Sequence, residues 1–216
     1  NLQRCSGPEL RRCSWCLAPL WPELLWPGML PKLWQRQRWE AEGDRNVDCW
    51  LSPSRHLIQR MKKPARYLPL PLLRNLPAPT LPSQGPLRCV FAGSIIPTKG
   101  PHLAIEAARG LPLSLHLAGP LVAYRGSMDY ARQLQKMSQE AGFSLGPIPP
   151  EQMKTFWEAA DLLLFPSTWE ENSPSVIREA AAMGIPILSS DLEGVREIQP
   201  DAIFLPIENK YAWRHA

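Results

Sequence analysis

The stretch "RCVFAGSIIPTKGPHLAIEAARGLPLSLHLAG", residues 88–119, decides how the rest of the chain is read. It holds two short apolar runs, "RCVFAG" (88–93) and "LSLHLAG" (113–119), each closed by a glycine. Runs of this length and composition read as buried strands. Between them lies "KGPHLAIEAARG" (99–110), where Pro101 suits a first helical position and Gly110 the residue after the last.

The alternation continues towards the C-terminus. "SMDYARQLQKMSQEAG" (127–142) repeats apolar residues at Met128, Ala131, Leu134, Met137 and Ala141, a helical period. "FSLG" (143–146) reads as a short strand, "PPEQMKTFWEAAD" (149–161) as a helix with prolines and an acid in its first turn, and "LLLFP" (162–166) as a fully buried strand. "SPSVIREAAAMG" (173–184) is expected to be a helix with Ser173 as N-cap, Pro174 at the first position and Gly184 as terminator. "IPILSS" (185–190) and "AIFLP" (202–206) complete the strands. Short apolar strands alternating with helices imply a doubly wound α/β domain: a parallel sheet covered on both faces. Ligands of such sheets sit beyond the carboxyl ends of the strands, where helix N-termini also point.

Composition divides the chain. Residues 1–85 carry 13 Lys/Arg against 6 Asp/Glu and six of the nine Trp; residues 86–216 carry 11 against 14. The first part is thus net +7 and the second net −3. "LPAPTLPSQGP" (76–86) between them has a linker's composition, within a chain whose 25 prolines are more than twice the usual share of about 5%. The expected organisation is residues 1–75, a linker at 76–86, and a ligand-binding Rossmann-like domain at 87–216. No apolar run of about 18 residues is present, so no spanning helix is expected, and no leader is visible.

Two motifs fall at the ligand-binding rim. In "FAGSIIPTKG" (91–100), Gly93 ends a strand and Lys99 shortly precedes a helix, a placement suited to phosphate oxygens. The alternative for Lys99 is a solvated lysine in a βα loop. In "STWEENSPSVIREAAAMGIPILSS" (167–190), the N–H groups of Ser175, Val176 and Ile177 open a helix and lack intrahelical partners. An anion there gains from both the dipole and the hydrogen bonds. Glu171 precedes the helix and Glu179 lies inside it, about 7.5 Å along the axis from Pro174. Carboxylates beside a phosphate site are useful if they accept from vicinal hydroxyls, through bonds of about 1.5–3 kcal/mol. The order carboxylate, helix end, carboxylate therefore matches a diphosphate with a sugar on each side.

These segments, together with "LHLAG" and "LGPIPPEQMKTFWEAADLLLFPS", resemble glycosyltransferase family 4, retaining enzymes of the GT-B fold. Glu171-x7-Glu179 is similar to that family's E-x7-E motif, and the resemblance covers roughly residues 86–216, the C-terminal donor-binding domain. It implies that Glu171 accepts from hydroxyls of the donor sugar beside the reacting carbon and that Glu179 accepts from the ribose hydroxyls. It implies further that the backbone from Asn172 through Ser173 and Ser175 to Val176 holds the sugar and diphosphate, with Lys99 neutralising the diphosphate as it leaves. Gly93 and Ser94 would lie beside the phosphates, and the backbone at Pro147-Ile148 beside the base. The family often carries an Arg where Ser94 stands, so one cation is missing. The implied reaction is transfer of a sugar from a UDP- or GDP-sugar to an acceptor hydroxyl, with retention, in polysaccharide or glycoconjugate synthesis, by a hexosyltransferase-type enzyme. No cofactor or catalytic metal is implied. The acceptor would be a glycan or a lipid-linked molecule, and the location cytoplasmic, at or near the inner membrane face.

Upstream, "NVDCWLSPSRHLIQRM" (46–61) resembles the last strand and helix of the family's N-terminal domain, and "YLPLPLL" (67–73) the strand leading to the linker. Residues 1–85 are too short for that whole domain, so both ends are expected to be clipped and this chain alone inactive. Cys5-x7-Cys13-x2-Cys16 suits three ligands of a structural zinc; the alternative is reduced cysteines in a loop. Cys49 and Cys89 are expected to be small core residues in strands. "LWPELLWPGMLPKLWQRQRWEAE" (20–42) reads as an apolar loop packing on protein, with peripheral contact to an anionic membrane as the alternative. Its prolines argue against one continuous amphipathic helix. His116, mid-strand, reads as a satisfied structural residue. Competing functions are a non-catalytic nucleotide-binding or scaffold derivative and a GT-B sugar-nucleotide epimerase. Nucleic-acid binding is not expected, because the basic half lacks basic-aromatic motifs of known spacing.

Overall fold

A computed structural model of the 216-residue chain describes residues 26–61, 63–72, 85–207 and 209–216. Two compact units are distinguished, Asn1–Trp50 and Leu51–Ala216. The Cys5, Cys13 and Cys16 cluster and most of the 76–86 linker lie outside the described residues.

In the first unit, helix α1 runs from Trp26 to Arg45. The stretch expected as an apolar loop is therefore helical over its described residues, from Trp26 onward. Pro31 stands in the second turn, where its missing N–H removes a single i→i−4 bond, and the helix propagates beyond it. The pairing Arg36 Nε–Glu40 Oε1 at 2.9 Å and Arg38 over the Trp34 ring at 4.9 Å brace the exposed surface at i,i+4 spacing. No described helix is long and apolar enough to cross a membrane.

Next along the chain, β1 (Trp50–Ser52) pairs with β2 (Ala65–Tyr67), with α2 (Arg55–Arg60) between them. The second strand ends at Tyr67, where the sequence reading has it begin: Pro69 and Pro71 offer no N–H to a ladder. Cys49 precedes β1 and is exposed, not a core residue. Ser54 caps α2 by accepting from the Leu57 amide at 3.3 Å.

The six-stranded sheet follows: β3 (Leu87–Ala92), β4 (Leu113–Ala118), β5 (Ser144–Gly146), β6 (Leu162–Phe165), β7 (Ile187–Ser190) and β8 (Ile203–Leu205). All pair in parallel, in the order β5-β4-β3-β6-β7-β8. The direction of winding reverses between β3 and β6, which makes that point the crevice for a ligand. The helices are α3 (Pro101–Ala108), α4 (Asp129–Ala141), α5 (Met153–Glu158), α6 (Ser175–Ala182), α7 (Glu193–Ile198) and α8 (Lys210–His215).

Strand side chains alternate between two cores. Val90, Leu163, Phe165 and Ile187 join Trp157, Ile177 and Val195 on the face covered by α5, α6 and α7. Cys89, Phe91, Leu115, Leu117, Leu164 and Leu188 join Ala104, Ile105, Leu134 and Trp213 on the other. Each fully buried Val, Leu, Ile or Phe here contributes about 1.5–3 kcal/mol, which favours strands with apolar residues on both faces, although β7 also buries Ser189 and Ser190. Arg88 clamps the start of β3 to the turn before β6: its guanidinium meets both oxygens of Asp161 at 2.9 Å, and its backbone N–H adds a third bond. The 149–161 segment is broken into a 3-10 turn (Pro150–Gln152) and the shorter α5, because its consecutive prolines supply no amide for a regular first turn.

Candidate functional site

Four strand ends meet around a cavity of about 440 Å³. After β3 come Gly93, Ser94 and Lys99; after β4, Gly119 and Pro120; after β5, Pro147 and Ile148; after β6, Glu171 and the start of α6 with Pro174, Ser175 and Val176. Glu179 reaches the same cavity from inside α6. Of the residues expected from sequence, Asn172 and Ser173 are not part of the lining, and Asn172 is exposed.

Lys99 ends a 3-10 turn (Pro97–Lys99), and Gly100 follows at φ 70 before α3 begins. Glycine is required twice over at 100. Its φ is one that L side chains rarely adopt, and a Cβ would lie 2.0 Å from the Pro166 carbonyl oxygen. The β3–α3 loop is thereby pressed against the β6–α6 loop. Thr98 O accepts from the Thr168 amide at 2.9 Å and from Ser167 Oγ at 3.1 Å across the same seam. Gly119 makes a similar approach: a Cβ there would stand 1.8 Å from Gly93 O.

That seam sets Lys99 beside Glu171. The ammonium Nζ donates to Oε1 at 2.6 Å, and the buried Ser167 hydroxyl donates to the same oxygen at 2.9 Å. Lys99 is the one cationic side chain among the described residues lining the cavity. Below Glu171 its own carbonyl abuts Gly194 of α7, where a Cβ would come within 1.8 Å of that oxygen.

α6 begins one residue later than expected. Pro174 is the N-cap, with φ −66 and ψ 120, and no side chain caps the end. Ser173 is turned to other work: its hydroxyl accepts from Arg178 Nη2 at 2.9 Å and Nε at 3.2 Å. The guanidinium outcompetes a backbone amide because a charged donor makes the stronger bond. The first-turn N–H groups of α6 therefore face the cavity without a side-chain acceptor.

Inside α6, Glu179 accepts from the indole Nε1–H of Trp157 at 3.1 Å. Sequence reasoning missed this donor, and Ser167 although "PS" is quoted within the motif. Trp157 lies 22 positions from its partner on another helix, and no local pattern announces such a contact.

Other titratable groups have structural surroundings. Burial pushes the Cys89 thiol up to about 11, so it is not a thiolate nucleophile near neutral pH. Burial lowers the pKa of His116, whose ring packs edge-on to Phe156 at 5.4 Å, in keeping with a structural residue. His102 Nδ1 and the Tyr130 hydroxyl share a 2.8 Å hydrogen bond. Among the described residues, no cluster of three His, Cys, Asp or Glu is placed to hold a metal ion.

The chain is similar in sequence and in fold to known proteins. The family model described as Glycosyl transferases group 1 matches residues 75–205. The lipopolysaccharide 1,2-N-acetylglucosaminetransferase of Salmonella typhimurium is 32% identical over 124 residues, 53% of this chain and 32% of that protein. The sucrose-phosphate synthase of Thermosynechococcus elongatus shares the fold with a TM-score of 0.63 at 23% identity, over 79% of this chain and 48% of its own. HepE of Anabaena, solved in complex with UDP and glucose, does so with a TM-score of 0.59 at 17% identity, over 76% of this chain and 51% of its own. The chain spans between 27% and 40% of the length of the curated relatives it matches.

Proposed function

Because the chain belongs to the glycosyl transferases group 1 family, we propose that it is the donor-binding half of a retaining glycosyltransferase, which moves a hexose from a UDP- or GDP-sugar to an acceptor hydroxyl. One observation carries the reading: Lys99, Glu171, Glu179 and an uncapped helix end converge in one cavity at the point where the sheet reverses.

Each group then has a task. The α6 N–H groups and Lys99 bind the diphosphate and stabilise the charge that develops as the bond from the anomeric carbon to the β-phosphate oxygen breaks. Electrostatic help of this kind is worth most where it is fixed in advance, and Lys99 is held by the loop seam. Glu171 accepts from hydroxyls of the transferred sugar and holds it over that bond. Glu179 accepts from the ribose. The acceptor oxygen bonds to the same face of the anomeric carbon while its proton passes to the departing β-phosphate oxygen, so the configuration is kept. Ser94 brings no second cation, which leaves Lys99 and the helix end with the larger share of the leaving-group charge. The lipopolysaccharide relative supports a glycan or lipid-linked acceptor and a place in polysaccharide synthesis.

The test is calorimetric titration of UDP and of GDP into the chain and into Lys99→Ala and Glu179→Ala. Binding of one nucleotide, weakened at least about tenfold in both variants, is the expected result. No binding of either nucleotide by the folded chain overturns the donor-site reading. Retention is checked on the full-length protein by the anomeric configuration of its product.

A further inference from the structure

The indole of Trp157 and the carboxylate of Glu179 are each the partner the other requires. Trp157 is fully buried, and its ring is set edge-on against Phe156 at 5.2 Å within the core. Its single polar atom would be stranded there without an acceptor. Glu179 projects from a helix whose neighbouring positions Ile177 and Ala180 are also fully buried. Among the described residues its carboxylate has no cationic partner, and the indole N–H is its hydrogen-bond donor, to Oε2 at 3.1 Å. A half-buried carboxylate held from one side by a rigid ring has its second oxygen directed by the first.

We propose that Trp157 is a positioning residue for ribose recognition: it fixes Glu179 through Oε2 and so aims Oε1 at the hydroxyls of a bound nucleoside diphosphate. This rests on the donor-site reading above. Trp157 is not part of the cavity lining, so it acts only through the carboxylate. Two torsions orient an indole, and both are frozen by packing. The carboxylate is therefore aligned before a ligand arrives, and little ordering remains to be done on binding.

A role confined to stability predicts something different from a role in alignment. The experiment measures Kd for UDP or GDP, whichever binds, for the matching 2′,3′-dideoxynucleoside diphosphate, and for inorganic diphosphate. It uses the wild-type chain, Trp157→Phe, Glu179→Gln and the double variant. In the wild type the ribonucleotide is expected to bind at least about tenfold more tightly than its dideoxy analogue, the worth of one hydrogen bond to a charged group. In Trp157→Phe that preference is expected to fall to about threefold or less, with inorganic diphosphate binding within about twofold of wild type. The substitution is expected to have no further effect on the preference in the Glu179→Gln background.

Where Trp157→Phe does not fold, the indole ¹⁵N–¹H resonance of Trp157 in the wild-type chain serves instead. It is expected to move with the ribonucleotide and to stay put with inorganic diphosphate. Wild-type preference preserved in Trp157→Phe, or an indole resonance indifferent to the ribonucleotide, overturns the proposal and leaves the donor site standing. Failure of the wild type to bind either ribonucleotide overturns both.

Discussion

Lys99 Nζ stands 2.6 Å from Glu171 Oε1, so the cation and the carboxylate offered to a donor already hold each other. A phosphate arriving at Lys99 competes with Glu171, and a sugar hydroxyl arriving at Glu171 competes with Lys99. On the proposed donor-site reading, the two halves of a nucleotide-sugar would therefore exchange one ion pair for contacts at both of its ends. A nucleoside diphosphate without its sugar satisfies only Lys99.

The first prediction follows from that exchange. Glu171→Gln is expected to leave nucleoside diphosphate affinity unchanged or raise it by up to about tenfold, because Lys99 is released from its partner. The same variant is expected to lose the extra affinity that the sugar of a nucleotide-sugar contributes. Paired titrations with the diphosphate and the nucleotide-sugar separate the two effects; a large loss of diphosphate affinity in Glu171→Gln would contradict the arrangement.

Ser167 is the second case. Its buried hydroxyl bridges Glu171 Oε1 and Thr98 O at 2.9 and 3.1 Å. Ser167→Ala removes the bridge between the two loops, with an expected loss of about 0.5–1.5 kcal/mol, because Thr98 O keeps the Thr168 amide and Glu171 Oε1 keeps Lys99. Urea denaturation of the chain measures it, and an unchanged midpoint would show that the bridge is dispensable.

Backbone contact makes the third prediction the most severe. At Gly100 a Cβ would meet Pro166 O at 2.0 Å with φ at 70. Alanine there must move the loop that carries Lys99. The expected cost is about 3 kcal/mol or more, with nucleotide binding lost even where the variant folds. Gly110, also at positive φ but with nothing within 4 Å of its Cβ, is the control: its alanine variant should be only mildly destabilised and should bind normally.

A fourth prediction concerns pH. Burial alone would raise the Glu197 carboxyl, but the backbone amides of Arg55 and His56, with the Ser54 hydroxyl, outweigh it and hold the group below its ordinary value. Both carboxylate oxygens accept from the Arg55 amide at 2.8 Å, so this acid on α7 caps α2. A carboxyl depressed in the folded state stabilises above its unfolded value, and the contribution is lost as pH falls through the folded one. The wild-type urea midpoint is thus expected to fall more steeply than that of Glu197→Gln between pH about 5 and about 3. Above that range the wild type should be the more stable; parallel acid limbs would remove the carboxylate from the account.

Periodicity and turn residues placed the six sheet strands and located the cavity, because short apolar runs bounded by glycine and proline leave few alternatives. Local chemistry was harder. Ser173 has the ordinary composition of an N-cap, yet Arg178 five residues on takes its hydroxyl, and Pro174 assumes the position. α7 escaped notice because "EGVREI" is one short segment opened by Leu192 without a side-chain cap. The indole behind Glu179 and the acid capping α2 share one property. Each joins separate elements of the chain, so only the folded arrangement reveals them.

At the near-contact of Gly119 with Gly93 O, the part of the cavity floor formed there is main chain packed on main chain, with no room for a side chain. Peptide groups do not change when side chains do. Substitutions drifting through the surrounding loops can reshape the walls that meet a sugar or a base, but this part of the floor can change only by displacing whole strands. On the proposed donor-site reading, one end of a nucleotide-sugar would thus meet a geometry fixed by main chain, and the other a surface free to diversify.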